Sequence, residues 1–558
     1  MKRYALLLGT TFALAITAST AWAQAKAIAP PPAKAAPPAI KPAADAADPQ
    51  RPDGAPAAKN QDASQPQDAS PSAAGPVDPQ RPDEHQPPKG SQNPNVPREI
   101  HLTLTPAAEP VPALKYELLP GPLERTPGNG ATNYYRAMLH IQQAIAAVPK
   151  EESQKFYQDY ESIFDKPLSE MPKQEMQKWV GYYRNALAET KAAAYREECH
   201  FNLRVQDLRG MDTINFLLHD FQSARDLGRA LRLRARLEVS SGKLDDALET
   251  VRQGFQLGKD STEPELLING LVGIAIASTM QDELVEIIDQ PGSPNLYWAL
   301  ASLPRPLVDL RRGMRFEMDM PERIFPFLKD AETAQRTPEE WQRLMMESMN
   351  NITEVSGSTV KMPQWQSRLV ATAGLMMIYP EAKKRLLEEG MNREELEKMP
   401  VAQVVAIQAS RAQKRLYHNV FKWTSLPYSQ QVSHAEEATK KLIADMGGPG
   451  QITAADPLFL GRLLLPAVQH AMSAEVRLQS RFAAIQTIEA LRMHAAANRG
   501  HLPKSLEDVT IVPVPLNPAT DKPFPYELHG GVATLIVAPP AGRLEAEGRK
   551  YTIRMEGP

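Results

Sequence analysis

Cysteine is nearly absent: Cys199 is the only one in 558 residues. No internal disulfide can form, so stability must come from packing. An excess of charge of one sign is lacking too. The 63 Lys plus Arg and 66 Asp plus Glu leave a formal net charge of -3, with no long-range field to attract a phosphate backbone or anionic lipid, and nucleic acid is not an expected partner. Signatures of local chemistry are missing as well. None of the 11 histidines falls in an HExxH or HxH spacing, and the chain has no Walker loop, Rossmann fingerprint, G-x-S-x-G elbow or C-x-x-C pair. Neither a cofactor nor a metal is expected from these patterns.

What is present begins with MKRYALLLGTTFALAITASTAWAQ, in which Lys2 and Arg3 precede a short apolar core and Ala21-Trp22-Ala23. This reads as a secretory signal over residues 1–23, cleaved after Ala23, with export to the periplasm or cell surface; an uncleaved N-terminal anchor is the alternative. Residues 24–98 are rich in Pro, Ala, Gln and Asp and contain no Phe, Tyr or Trp. Such a segment buries too little apolar area to offset the entropy of ordering, so it is expected to be a disordered, semi-stiff tether. DPQRPD at Asp48 and Asp78, and QDAS at Gln61 and Gln67, read as low-complexity slippage.

Helical periodicity dominates residues 99–472, after a short β-prone piece, EIHLTLT. Tyr134, Met138, Ile141, Ile145 and Val148 lay one apolar stripe along a helix closed by Pro149. Further helices are expected over Phe156–Ile163, Trp179–Ala194, Ile214–Val239, Leu244–Leu257, Trp341–Met349, Leu369–Ile378 and Val401–Trp423. LLINGLVGIAIASTM, Leu266 to Met280, is the most apolar passage outside the N-terminus, yet it is shorter than the roughly twenty residues a span requires. It is expected to be a core helix running to about Asp289, started by a Thr262/Glu265 capping box. In LRARLEVSSGKLDDALETVRQGFQLG, Ala235, Gly242, Ala247 and Gly254 occupy the small-residue positions of a tetratricopeptide hairpin. The fold class is therefore mainly α: an irregular, TPR-like helical body with a small C-terminal α+β module.

That module spans 473–558. The stripe Leu478, Phe482, Ile485, Ile488, Leu491 and Ala495 marks a long helix, after which PFPYEL, VATLIVA and KYTIRM read as strands of a small antiparallel sheet, with Gly530-Gly531 as a hairpin turn. Gly500-His501-Leu502-Pro503, Asn517-Pro518 and Pro523-Phe524-Pro525-Tyr526 resemble the pseudopilin-like tail of exported bacterial proteins, although no membrane helix with a processing site stands next to it. Together with NYYRAML at Asn133, NLYWALASLPRPLVDLRR at Asn295, MPVAQVV at Met399 and FKWTSLPY at Phe421, the chain from about Pro120 to Met555 resembles a family of uncharacterised, secreted, planctomycete-type helical proteins. The resemblance implies export and a helical fold, and carries no catalytic residue or cofactor.

Five residues form the candidate contact surface: Tyr297, Trp298, Arg305, Arg311 and Arg312, an aromatic and arginine cluster of the kind that dominates binding hot spots. The competing reading is a rigid inter-helix corner with Trp298 in the core. Cys199-His200 reads as a buried structural thiol rather than a nucleophile pair, GNG at Gly128 as a helix N-terminal loop, Glu151-Glu152 and Asp245-Asp246 as solvated helix starts, and Met345, Met346 and Met349 as core filler or an adaptable groove. The expected function is a non-enzymatic helical scaffold or interaction protein, its partner an unknown protein of the cell envelope. The alternatives are a hydrolase with a dispersed active site and an accessory component of a secretion or pilus-like apparatus. Limited proteolysis of the mature chain should cut between Gln24 and Arg98 and leave a resistant body; uniform resistance of that stretch would overturn the tether.

Overall fold

The structure is a computed structural model that describes residues 95–204, 207–208, 221–355, 364–445 and 459–556. The signal segment, nearly all of the tether and the first part of the helix expected from Ile214 lie outside the described residues. The described chain runs β1 (Arg98–Leu104), β2 (Thr126–Asn129), α1 (Gly130–Ala147), α2 (Lys150–Phe164), α3 (Lys173–Tyr182), α4 (Arg184–Ala194) and β3 (Arg196–Glu198). Next come α5 (Phe221–Ser240), α6 (Leu244–Asp260), α7 (Leu267–Ile288), α8 (Tyr297–Ala301), α9 (Arg311–Ile324), α10 (Pro338–Val355), α11 (Gln364–Glu388) and α12 (Arg393–Lys398). The last elements are α13 (Val401–Phe421), α14 (Tyr428–Asp445), α15 (Phe459–Ala497), β4 (Tyr526–His529), β5 (Val532–Val537) and β6 (Arg549–Met555). The fold is mainly α-helical with a small strand module at the C-terminus.

The apolar passage from Leu266 forms α7, which is packed against α5, α6, α9 and α15. A helix without a polar face needs such an enclosure. No helix among the described residues is long and apolar enough to cross a membrane. The contact of α6 with α7 is backbone against backbone: a Cβ added at Gly273 would stand 2.3 Å from the Gly258 carbonyl oxygen, so neither position has room for a side chain. The hairpin of α5 and α6 turns at Gly242, whose φ of +72° is readily adopted only by glycine. Toward the end of α7, fully buried Glu283 accepts from Arg232 Nε at 3.2 Å and from Arg236 Nε at 2.6 Å, tying α7 to α5.

Three expected boundaries move, each for a local reason. The Thr262/Glu265 capping box does not form. Thr262 Oγ1 donates instead to the Lys259 carbonyl, Glu265 takes a left-handed φ of +58° and faces Arg312, and α7 begins at Leu267. The helix expected over Trp179–Ala194 breaks at Tyr183, where ψ is 3° and the ring is buried beside Trp179 at 5.9 Å. The long C-terminal helix starts at Phe459, upstream of the expected boundary at 473.

The sheet order is β1-β6-β5-β4. β4, β5 and β6 are antiparallel, and Gly530-Gly531 turns the hairpin with φ of +57° and +79°. β1, however, pairs parallel to β6 from Arg98↔Arg549 to Leu104↔Met555, so the sheet is not wholly antiparallel and draws its outer strand from the far end of the described chain. One apolar core runs from Leu102 to Ile553 across the expected division at 473. A second, smaller core gathers Phe316, Met320, Trp341, Leu386, Leu396 and Ile407. Gly273→Val should lower stability by about 3 kcal/mol by forcing α6 off α7. Urea unfolding would check this against Ala275→Ser, an exposed change on the same helix.

Candidate functional site

The five residues of the expected contact surface are placed by what they touch, and they do not form one patch. Tyr297 is buried at the start of α8, and its hydroxyl donates to the Pro513 carbonyl at 2.5 Å. Trp298 stands edge-on to it with centroids 5.1 Å apart, half-buried, its indole N–H on the Glu109 carboxylate. Arg305 is exposed and donates to Gln486 Oε1 on α15 at 3.1 Å. Arg311 and Arg312 are exposed and already paired, the first with Asp309 at 2.6 Å and the second with Glu265 at 3.2 Å. Tyr297 and Arg305 thus tie α8 and the loop after it to the C-terminal part of the chain, Trp298 reaches back to Glu109, and the other two arginines hold the start of α9.

Fully buried Arg492 on α15 ties this corner together. It pairs with Glu489 at 2.9 Å and donates to the carbonyls of Ser293 at 2.7 Å, Pro294 at 3.2 Å and Thr105 at 3.0 Å. Glu489 in turn accepts from the Leu296 N–H at 3.1 Å. One guanidinium therefore joins the exit of β1, the approach to α8 and the long C-terminal helix.

Cys199 is half-buried, and burial, with Asp260 and Glu263 nearby, pushes its thiol well above the ordinary range. A thiol held protonated is a poor nucleophile. His200 turns to Glu263 at 3.2 Å, and its backbone is bracketed by Asn129, which donates to the His200 carbonyl at 2.7 Å and accepts from its N–H at 2.8 Å. Asn129 also caps α1 through the Ala131 N–H, which is the role expected for the GNG loop. Glu151, Asp245 and Asp246 are exposed in the first turns of α2 and α6, and Glu152 pairs with Lys178 at 2.6 Å. Met345 packs on the second core and Met346 is half-buried; the Met349 side chain lies outside the described residues.

Sequence reasoning missed a set of buried and half-buried acids. Glu317 lies on the apolar face of α9 between Met314 and Met320, and burial alone raises its carboxyl to about 7. Tyr417 on α13 interacts electrostatically with it, and the buried Tyr417 hydroxyl has no hydrogen-bond partner among the described residues. Burial likewise raises Glu475 to about 7, although it accepts the Leu310 N–H at 2.9 Å. Asp260, half-buried, rises to about 6 through desolvation while accepting from Tyr134 at 2.9 Å and Gln256 at 2.7 Å. A charged residue within the stripe Met314, Met320, Ile324 was the available signal for Glu317; nothing local marked the others. No group of three or more His, Cys, Asp or Glu among the described residues is placed to hold a metal.

The other missed feature is on α11. Leu369, Met376 and Met377 are 64 %, 63 % and 82 % exposed. Their spacing of seven and eight residues sets them on one helix face, with exposed Ala373 and Pro380 beside them. An apolar stripe turned to solvent is the candidate contact surface of the described chain. No family model matches the chain, and searches of curated proteins and of solved structures return no match.

The raised acids give stability a definite pH sign. Glu317 binds a proton more tightly folded than unfolded, so its contribution is fully present below about pH 4.5 and is lost as pH rises through about 7. A rise from 4.5 to about 7 corresponds to on the order of 3 kcal/mol. Glu317→Gln should therefore match wild type near pH 4.5 and exceed it at pH 8, as read from urea midpoints at the two pH values. An equal difference at both would show that the carboxyl does not titrate in that window.

Proposed function

We propose that the protein is an exported, non-enzymatic helical interaction protein of the cell envelope, carried to the periplasm or cell surface by residues 1–23 and held off by the 24–98 tether. It belongs, on this reading, with the secreted planctomycete-type helical proteins that its sequence resembles, and the α5–α6 hairpin is a tetratricopeptide-like unit in its body. The single observation that carries the interaction role is the outward apolar stripe of α11, where Leu369, Met376 and Met377 face solvent. Two of the three are methionines, whose flexible, polarisable side chains adapt to a partner surface. The partner is an envelope protein with a complementary apolar face.

A secondary role beside a secretion or pilus-like apparatus is favoured by the tail. Tyr526 donates to the Pro503 carbonyl at 2.8 Å, and buried Asn517 accepts from Ser480 at 2.8 Å, so the helix, its two proline loops and the hairpin are tied to one another.

Affinity capture of the mature chain from its native envelope tests the main reading. A Leu369→Ser/Met377→Ser variant should lose its partner by about tenfold or more while unfolding within about 0.5 kcal/mol of wild type. Trp298→Ala should keep the partner. Loss with Trp298→Ala alone would move the contact to α8, and no partner for wild type would sink the role. The N-terminus of the mature protein should be Gln24; an intact Met1 would overturn the cleaved signal.

A further inference from the structure

A concentration of positive charge, buried at Arg481 and Arg549 and partly exposed elsewhere, lies where α15 meets the C-terminal strands. His470, Ser473, Arg477 and Arg481 follow one another on α15 at intervals of three, four and four residues, which places them on one helix face. Arg543, from the loop before β6, donates to His470 Nδ1 at 2.7 Å. Arg549 on β6 and Arg98, its register partner on β1, complete the set. Arg481 is 9 % exposed and Arg549 7 %.

The negative charge available does not balance it. Glu547 is shared by Arg477 and by Arg543, at 3.0 Å from the latter, and Asp282 is 4.0 Å from Arg98 and interacts electrostatically with Arg549. The Nε of Arg481 is buried without a hydrogen-bond partner among the described residues. Burial and the neighbouring guanidiniums push Arg477 and Arg549 down to about 10. Burial and the charges of Arg543 and Arg477 lower His470 as well, consistent with a neutral ring that accepts from Arg543. Guanidiniums buried together without enough counter-charge are costly unless an anion joins them.

Beside this cluster is an open recess lined by Tyr428, Gln469, His470, Ser473 and Arg543, with Val432 and Met472 as its apolar part. It combines a guanidinium, an imidazole, a hydroxyl and an amide around one space, with Arg477 behind Arg543 through their shared Glu547. A planar carboxylate is satisfied by one arginine fork, whereas donors from a helix on one side and a loop on the other suit a tetrahedral oxyanion.

We propose that the protein binds a phosphate group in this recess, on Arg543, His470 and Ser473, with Arg477 and Arg481 supplying the field that retains it. The Ser473 hydroxyl, which donates to the Gln469 carbonyl at 2.9 Å, turns to the phosphate when it binds. The group arrives either as the free ion or as an ester.

Isothermal titration calorimetry of the mature full-length chain with inorganic phosphate, and separately with glycerol 3-phosphate, tests this. Dissociation constants at or below about 1 mM are expected for at least one of them. Tighter binding of glycerol 3-phosphate would identify an ester as the natural form, and equal or weaker binding the free ion. Arg543→Gln should weaken the better ligand by about tenfold or more, and Arg481→Met by a smaller factor that shrinks with added salt. Phosphate should also raise the unfolding temperature of wild type and leave that of Arg543→Gln unmoved. No binding of either probe up to about 10 mM, or unchanged affinity in a folded Arg543→Gln protein, would overturn the assignment.

Discussion

The enclosure of α7 is the constraint on which the other contacts rest. The helix carries apolar side chains around most of its circumference, so burying it on one side would leave a greasy face in water. Four helices supply the cover: α5 and α6 come from the segment just before it, α9 from just after, and α15 from far down the chain. Because α15 lies along α7, with Gln281 donating to the Leu478 carbonyl at 2.9 Å, everything attached to α15 is positioned as well. The C-terminal strands pack on α15, β1 closes the outer edge of β6, and Arg492 fixes the approach to α8. A water-exposed helix would have left each of these free to move.

Local patterning was legible and long-range assembly was not. The stripe from Tyr134 to Val148 gave α1, and EIHLTLT gave a strand, because period and β-branched content depend only on neighbours in sequence. Nothing near Arg98 announces that its strand will pair parallel with Arg549, since that pairing follows from where α7 and α15 bring the ends. The capping box failed for a related reason. Thr-x-x-Glu specifies a cap only when its backbone is free to adopt it, and Glu265 is drawn into a left-handed conformation facing Arg312. The candidate surface from Tyr297 to Arg312 illustrates the same limit. Aromatic and arginine content is visible in sequence, whereas the carbonyl of Pro513 and the amide of Gln486, which engage Tyr297 and Arg305, come from about two hundred residues away.

Charge is handled in two ways in the interior. Glu283 and Arg492 are buried but hydrogen-bonded on nearly every side, and such groups specify one arrangement of the helices around them because any other leaves a charge unpaired. Glu317 and the arginines near Arg481 are buried with too few partners, which costs stability and has no packing justification. Evolution tolerates a poorly compensated charge where the compensation arrives from outside or where the proton itself matters, and these positions are therefore where binding is to be sought.

The two cores keep these tasks apart. The large one, from Leu102 to Ile553, holds the paired charges and the arginine recess; the small one, around Trp341 and Leu396, supports the inner side of α11 through Leu386. The outward face of α11 contributes little to either, since Met376 and Met377 are mostly in solvent. A surface that stabilises nothing can change with its partner at small cost to the fold, and an apolar one is retained only if contact with the partner offsets the risk of nonspecific association. In the proposed role the core fixes the geometry and the exposed stripe of α11 makes the contact, and a contact of that kind requires no local catalytic motif.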